Sequence, residues 1–306
     1  MRERIPLSRA CLWILSWTLL VSGCAAACLF YYMHIVRERA LDPKYHIVAI
    51  VQTGPVREAL KTVYLAELLD LSCDRPVSLY RFNTSEGERK LLASPLIKTA
   101  AIKKIPPGTL YIDYVVRQPV AFLGEYANVA IDAEGYIMPF HPFFSPKHLP
   151  IFILGEECAE ERVTGRLLLS PCVSWGERLG SPHYQLAAQV LQSLTDTCVS
   201  KVSHVRKIDV SKAYADSYGQ RQIVVIMEDI LEKECEGHTI LCVQPRILRL
   251  NTKNYLKELQ DYLALRNHLL AQESQQVVDS STPVVKAEPM IIDMRIPSLA
   301  FFKERT

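Results

Sequence analysis

Charged side chains are missing from a long apolar stretch near the start of the chain. No Asp, Glu, Lys or Arg occurs between Ala10 and Val36, and a helix needs about 20 apolar residues to cross a bilayer core. The pattern predicts a tail over 1–10 and a membrane-spanning signal-anchor over 11–36. Aromatic residues lie toward the two ends of this stretch, as interfacial aromatics do: Trp13, Trp17, Tyr31 and Tyr32.

Cys24 offers a second interpretation of the same stretch. Residues 21–24 read Val-Ser-Gly-Cys and follow three arginines, a pattern typical of a lipoprotein signal. The apolar run nevertheless continues past Cys24 to Met33, whereas the apolar part of a cleaved signal peptide ends near its cleavage site. The length of the run favours the uncleaved anchor, and lipidation of Cys24 is the alternative. The basic residues on the two sides of the stretch are equal in number, so they do not indicate its orientation. The short tail and the long body after the stretch predict a cytoplasmic N-terminus and an exported body.

The segment after the anchor predicts a strand and a helix. Residues 47–52 are apolar on both faces, which predicts a strand covered on both sides. Gly54-Pro55 ends it. Residues 56–71 repeat apolar positions at helical spacing.

A second helix and a hairpin complete this predicted module. Thr84 or Ser85 is in position to cap the helix, and Ser94-Pro95 ends it. Residues 97–105 and 109–116 are rich in β-forming residues and flank a Pro-Pro-Gly turn. The order strand, helix, helix, strand, strand over 45–121 predicts a small α+β domain with two helices on one sheet.

The remainder, 122–302, predicts a second mixed α+β domain with a mostly antiparallel sheet. Its predicted elements are a hairpin over 128–140, a helix over 181–198, strands over 202–211, 221–230 and 238–251, a helix over 254–270, a polar loop over 274–289 and a final strand over 290–302, broken only at Pro297.

Composition adds limits to the possible partners. The 306 residues carry a net charge of +2, and no basic stripe is interleaved with aromatics, so nucleic acid is not predicted as a partner. Six cysteines follow the anchor: Cys73, Cys158, Cys172, Cys198, Cys235 and Cys242. An exported compartment permits disulfides, and Cys235 and Cys242 suit the two sides of a short turn. Free buried thiols are the equal alternative.

Catalytic motifs are absent from the sequence. It contains no GxSxG, no Ser-x-x-Lys with KTG, no HExxH and no P-loop. An acidic cluster surrounds Cys158 (Glu156, Glu157, Glu160 and Glu161) but lacks the spacing of a calcium loop. His141 and His148 have no third ligand near them in sequence. Ser170, His183 and Asp196 have the residue types of a triad, which chance also supplies. We therefore predict a binding protein, not an enzyme, without metal or cofactor.

Several short motifs follow one another in a specific order along the chain. The segment 100–122, AAIKKIPPGTLYIDYVVRQPVAF, contains a proline turn followed by Arg-x-Pro-Val-Ala, beginning at Arg117, and in this it resembles the FtsQ/DivIB family. Asp132 and Gly135 match its Asp-x-x-Gly hairpin, and Leu149-Pro150 with Gly155 matches its Leu-Pro…Gly strand. The segment IIDMR, through Asp293 and Arg295, matches its terminal strand. Two positions depart from the family's pattern. Pro106 stands where the family usually has an aromatic residue, and Val116 stands where it usually has an acidic one.

The resemblance implies a fold and a function. The fold is a POTRA domain followed by an FtsQ-type β domain. The function is that of a bitopic, non-enzymatic division protein of the inner membrane, localised at the septum with its C-terminal domains outside the cytoplasm. Implied partners are FtsB/DivIC-like and FtsL-like bitopic proteins, with septal wall synthases as a further class.

The resemblance also implies a partner-binding edge on the last strand. An exposed strand edge binds an extended segment through main-chain hydrogen bonds. The predicted contact residues are Arg295, Ile296, Ser298, Leu299, Ala300, Phe301 and Phe302, together with Arg221. Arg295 has the donor geometry to pair with a partner carboxylate. An assembly or export factor that chaperones exported chains is the alternative function, and midcell localisation separates the two.

Overall fold

A computed structural model describes residues 7–54, 58–155, 174–196, 203–235, 238–274 and 284–304. Its α-helices are α1 (Leu7–Leu41), α2 (Thr62–Leu68), α3 (Thr84–Leu92), α4 (Pro182–Asp196) and α5 (Tyr255–Ser274). Its strands are β1 (Ala49–Thr53), β2 (Ile97–Ile105), β3 (Thr109–Val116), β4 (Pro119–Leu123), β5 (Val129–Asp132), β6 (Ile137–Pro139), β7 (Ile151–Ile153), β8 (Ser203–Asp209), β9 (Ile223–Cys235), β10 (His238–Leu250), β11 (Val284–Lys286), β12 (Met290–Asp293) and β13 (Phe301–Glu304).

The apolar helix α1 contains a candidate membrane span. Residues Leu15–Leu41 have a mean hydropathy of 1.8 in their most apolar window, and none of that window is buried within the protein. Among the described residues this is the one helix long and apolar enough to cross a bilayer. The finding is consistent with single-pass membrane anchoring.

The chain divides into two compact units, Met1–Val116 and Arg117–Thr306. The boundary predicted between 121 and 122 falls inside β4. That strand pairs with β5 and β7, so its residues belong to the sheet of the second unit.

The first unit contains a sheet in the order β1-β3-β2. β1 runs parallel to β3, and β2 runs antiparallel to it. Alternate residues of β3 are buried, namely Leu110, Ile112, Tyr114 and Val116. The elements follow the predicted order, and the hairpin strands have the predicted bounds. The covered double face predicted for β1 is wrong, because Ala49, Val51 and Thr53 are exposed.

The helices of this unit differ in detail from the prediction. α2 spans only Thr62–Leu68, shorter than the predicted 56–71. Asn83, not Thr84 or Ser85, caps α3: its side chain accepts hydrogen bonds from the backbone N–H groups of Ser85 and Glu86.

The second unit is built on a sheet of mixed strand orientation. Its described strands follow the order β13-β12-β10-β9-β8-β7-β4-β5-β6, and β11 also pairs with β10. The pairs β4–β7, β7–β8, β10–β11 and β10–β12 are parallel. The other five described pairs are antiparallel, so antiparallel pairing is the more frequent, as predicted, within a sheet of mixed orientation. Parallel neighbours need crossover connections, and α4 lies in the chain between β7 and β8, as α5 does between β10 and β12.

The end of the chain is a hairpin, not the single strand that was predicted. β12 and β13 pair antiparallel, with Asp293 opposite Phe301 and Ile292 opposite Phe302. Residues 294–300 connect them, and Ser298 adopts a left-handed conformation with φ +63°. The predicted polar loop also contains β11, which pairs with β10.

A buried charged cluster ties α5 to the sheet. Asp229 of β9 accepts hydrogen bonds from Arg266 of α5, at 2.9 Å, and from the hydroxyl of Ser203. Arg246 of β10 lies 3.7 Å from the other oxygen of this carboxylate. All four side chains are buried. The cluster sets the position of α5, which forms one wall of the candidate site.

Candidate partner-binding site

Arg295 is engaged within its own hairpin. Its Nη2 lies 2.7 Å and its Nε 2.9 Å from the two carboxylate oxygens of Asp293, so the pair is bidentate. Its Nη1 donates to the carbonyl of Gly219 at 3.0 Å. Three of its five N–H donors are thus used, and a partner carboxylate would share Arg295 with Asp293.

The ion pair changes the titration of Asp293. Burial by itself raises the pKa of a carboxyl, but the hydrogen bonds and charge of Arg295 outweigh it and lower the pKa of Asp293. The pair is therefore charged at neutral pH and fixes the start of the connection between β12 and β13.

Arg221 lies beside the same position. It follows a short 3₁₀ turn, Tyr218–Gln220, whose Gly219 carbonyl accepts the bond from Arg295. Its guanidinium sits 4.3 Å from the centre of the Tyr218 ring, and its Nε donates to the Ala215 carbonyl at 2.7 Å. The two arginines that the sequence singled out are thus brought to one neighbourhood, although 74 positions separate them in the numbering.

The connection between β12 and β13 forms one wall of a groove. Helix α5 forms the other wall, and the cavity volume is about 580 Å³. The lining residues are Asn254, Lys257, Glu258, Asp261, Leu265, Met294, Ile296, Pro297, Ser298, Leu299 and Ala300. Four of the predicted contact residues, Ile296 and Ser298 to Ala300, therefore line a groove and do not lie in a strand.

The remaining two predicted residues, Phe301 and Phe302, lie in the edge strand itself. β13 is at the end of the sheet, and no described strand pairs with its outer edge. Phe301 is 53% exposed and Phe302 49% exposed. Opposite residues of an antiparallel pair share a face, so Phe302 lies on the face of Ile292, which packs in the core that includes α5.

Glu258 is a groove residue that the sequence analysis did not single out. It is only 5% exposed, although it is ionisable. Its Oε2 accepts the backbone N–H of Asn251 at 2.7 Å, which holds the turn before α5. Its Oε1 has no hydrogen-bond partner among the described residues. An acidic residue in the first turn of a predicted helix was the available signal, but that pattern indicates only stabilisation of the helix start.

The motif residues of the Arg-x-Pro and Asp-x-x-Gly segments meet far along the sheet from this groove. Arg117 donates to Asp132 at 2.9 Å and stacks on Tyr136, 3.7 Å from the ring centre. The other oxygen of Asp132 accepts the backbone N–H groups of Glu134 and Tyr136 at 2.9 and 2.8 Å. We refer to Arg117, Asp132, Gly135 and Tyr136 as the clasp, since they close the β5–β6 hairpin.

Gly135 and Gly155 have steric reasons to be glycine. Gly135 has φ +91°, and a Cβ there would lie 2.9 Å from Tyr184 Cε1. Gly155 has φ +72°, and a Cβ there would lie 2.6 Å from Cβ of Ser211. These motif positions therefore have structural roles.

The structure gives less support to the candidate disulfide and to the candidate metal and catalytic residues. Cys242 is buried and free, and Cys73 is exposed and free. Cys242 lies opposite Leu231 in the strand pairing and Cys235 lies opposite His238, so the two cysteines are not paired across the turn. No group of three metal-ligating side chains occurs among the described residues. Several candidates lie outside those residues: Glu156, Glu157, Glu160, Glu161, Cys158, Cys172, Cys198 and Ser170.

Comparison with known proteins does not assign a family. No protein-family model matches the chain, and no curated protein matches it significantly.

Proposed function

We propose that this protein is a single-pass, non-enzymatic scaffold of cell division, similar to FtsQ/DivIB, which recruits FtsB/DivIC-like and FtsL-like partners at the septum. In this proposal the N-terminus is cytoplasmic, the body lies outside the cytoplasm, and the unit after the anchor is a POTRA-like domain. Septal wall synthases are a further class of partner.

One observation carries the proposal: among the described residues, the sheet of the second unit ends in a strand with an unpaired outer edge, beside a groove with apolar and charged walls. Open strand edges promote unwanted pairing, and folded proteins ordinarily cover or charge them. Here two half-exposed phenylalanines lie in the edge strand, and Ile296 and Leu299 add exposed apolar surface next to it. A partner segment that adds a strand to β13 would bury this surface.

Two further features support the membrane and domain parts of the proposal. The apolar helix α1 precedes the strands of both sheets in the chain, as the span of a bitopic protein does. The order β1-α2-α3-β2-β3, with parallel β1 and antiparallel β2 on the central β3, agrees with the POTRA-like arrangement that the resemblance implies.

Affinity isolation from dividing cells tests the proposal. The full chain is compared with a chain ending at Ala300, which deletes β13 but retains β12 and its buried Ile292. We expect the full chain to capture FtsB/FtsL-like proteins. The truncated chain should capture at least about tenfold less of them.

Point variants separate edge pairing from general damage. Phe302→Asp should reduce capture as the truncation does, since it places a charge against the added strand. Trp175→Ser removes an exposed aromatic residue elsewhere in the second unit and should leave capture unchanged. Capture that survives loss of β13 would move the contact elsewhere, and absence of every division protein from the full-chain sample would contradict the proposal.

A further inference from the structure

The groove between α5 and residues 294–300 contains an uncompensated carboxylate. Glu258 borders the groove, yet its Oε1 is buried and has no hydrogen-bond partner among the described residues. Buried polar atoms are nearly always paired, and an unpaired one is costly. Glu258 lines this groove, so the groove is the side from which we expect a donor to approach the unpaired oxygen.

The charges around Glu258 favour a cation as that donor. Burial raises the pKa of Glu258, and the carboxylates of Asp261 and Asp293 raise it further. Lys257 also lines the groove, but no ion pair joins it to Glu258 among the described residues. The other nearby cations, Arg295 and Arg249, lie 2.7 and 3.9 Å from Asp293. The groove itself is lined by two carboxyl groups, Glu258 and Asp261, and by one cation, Lys257, so a positive group in the groove would balance its charge.

The shape of the groove favours a side chain with an apolar stem. Leu265, Pro297 and Ala300 supply apolar wall, and the acidic Glu258 and Asp261 supply the polar part. Lysine and arginine combine a hydrocarbon stem with a cationic end. The volume of about 580 Å³ exceeds what one side chain fills, so neighbouring residues of the same segment can enter too.

We propose that this groove selects a lysine or arginine side chain of the extended partner segment that pairs with β13, with Glu258 accepting its charged N–H group. The inference rests on the proposed function for the identity of the partner, but its chemistry can be tested separately. Edge pairing supplies main-chain hydrogen bonds that any sequence can make, so Glu258 would supply specificity.

Two synthetic peptides test this selection. Both are extended decapeptides of alternating threonine and valine, and they differ only in a central lysine or norleucine, which has a similar stem without the charge. They are titrated against the full chain in lipid nanodiscs. We expect the lysine peptide to bind about tenfold or more tightly than the norleucine peptide, because a charge-assisted hydrogen bond is gained.

Glu258→Gln is the decisive variant. The amide oxygen of glutamine can still accept the Asn251 N–H, so the turn is preserved while the charge is lost. We expect the lysine preference to fall below about threefold. The midpoint of thermal unfolding should stay equal or rise. A carboxyl whose pKa is raised in the folded state makes the fold less stable as the pH rises through that pKa, and glutamine removes this effect. Asp261→Asn, on the exposed rim, should keep most of the preference.

The outcomes distinguish this inference from the proposed function. Equal binding of both peptides, a preference that persists in Glu258→Gln, or no binding of either peptide at millimolar concentration would overturn the inference. Capture of division proteins without a lysine preference would overturn it as well and leave the scaffold proposal standing. A lysine preference without captured division proteins would support the recognition chemistry and contradict the scaffold proposal.

Discussion

The two ends of the large sheet are built in opposite ways. At one end, β6 is followed by a covering segment: Ile137 donates to the carbonyl of Glu177 at 3.1 Å, and Gly176 donates back to Ile137 at 2.9 Å. Arg178 adds a bond from its Nε to the Glu134 carbonyl at 2.9 Å. The outer edge of β6 is therefore closed by the chain itself.

At the other end, no described segment covers β13 in this way. The phenylalanines of β13 are half exposed, and the adjoining groove contains an acceptor without a partner, Glu258 Oε1. The closed end pairs the outward backbone groups of Ile137, whereas the described part of the open end leaves apolar surface exposed and the buried Oε1 of Glu258 without a hydrogen-bond partner. The bonds of the closed end stabilise the hairpin, and the open end is where the proposed function would place a partner.

The contrast changes the meaning of the sequence motifs. The resemblance that implies a function includes Arg117, Asp132 and Gly135. All three residues lie in the clasp at the closed end. Their role is to hold a hairpin. The resemblance thus rests largely on residues that specify the fold.

Asp132→Ala should break the clasp and have the largest effect on stability. It removes an acceptor of two backbone N–H groups and leaves Arg117, whose side chain is 12% exposed, without its main partner. Loss of one member of a buried ion pair costs about 3–5 kcal/mol of unfolding free energy, and we expect the lower end because Arg117 also reaches Glu134 at 3.5 Å.

Urea unfolding in mild detergent measures this effect. The chain has three tryptophans, so replacing Trp13 and Trp17 by phenylalanine leaves Trp175, on the covering segment, as the fluorescent reporter. Asp216→Ala removes an exposed carboxylate and should change stability by less than about 0.5 kcal/mol. Equal effects of the two variants would refute the structural role of the clasp.

Gly135→Ala should weaken the same hairpin by a smaller amount. The φ of +91° is one that side chains rarely adopt, and the new Cβ would lie 3.0 Å from the Leu179 carbonyl oxygen. We expect a loss of about 2 kcal/mol in the same assay. Gly180→Ala is the matched control, because a Cβ at Gly180 has no neighbour within 4 Å. A harmless Gly135→Ala would show that the turn relaxes freely.

The fold of the first unit was largely predictable, because its signals are local. The bounds of β2 and β3 were predicted correctly, since a Pro-Pro-Gly turn separates two β-rich runs. The exposed face of β1 was not predictable. Its residues are apolar on both faces, as in a fully buried strand, although Val51 is exposed. Coverage of a sheet face depends on distant segments that periodicity does not report.

The open end of the sheet was predicted less well. The run from Met290 to Phe302 has the composition of one strand, and Pro297 is its only strong turn signal. In the turn, Ser298 adopts a positive φ. A serine in the sequence does not indicate that conformation, because residues other than glycine rarely adopt it. Met294 packs in the core, whereas Ile296 and Leu299 line the groove and are exposed, so hydrophobicity could not distinguish the two uses. Glu258 was missed because its environment comes from residues 294–300, distant in sequence.

Asp293→Asn should test the open end with the smallest effect on stability. The pair with Arg295 is only partly buried, with 21% and 27% of the two side chains exposed, so we expect a loss of about 1 kcal/mol at neutral pH. The lowered pKa of Asp293 gives the sign of the pH dependence. Its stabilisation is present above the unfolded-state pKa of about 4 and is lost as pH falls through the lower folded-state pKa. Asparagine does not titrate there, so the stabilities of wild type and variant should converge in the Trp175 assay as the pH falls below the lowered pKa of Asp293. A difference that stays constant with pH would mean that Asp293 acts through packing, and Arg295 would then be held mainly by Gly219 and be available to a partner carboxylate.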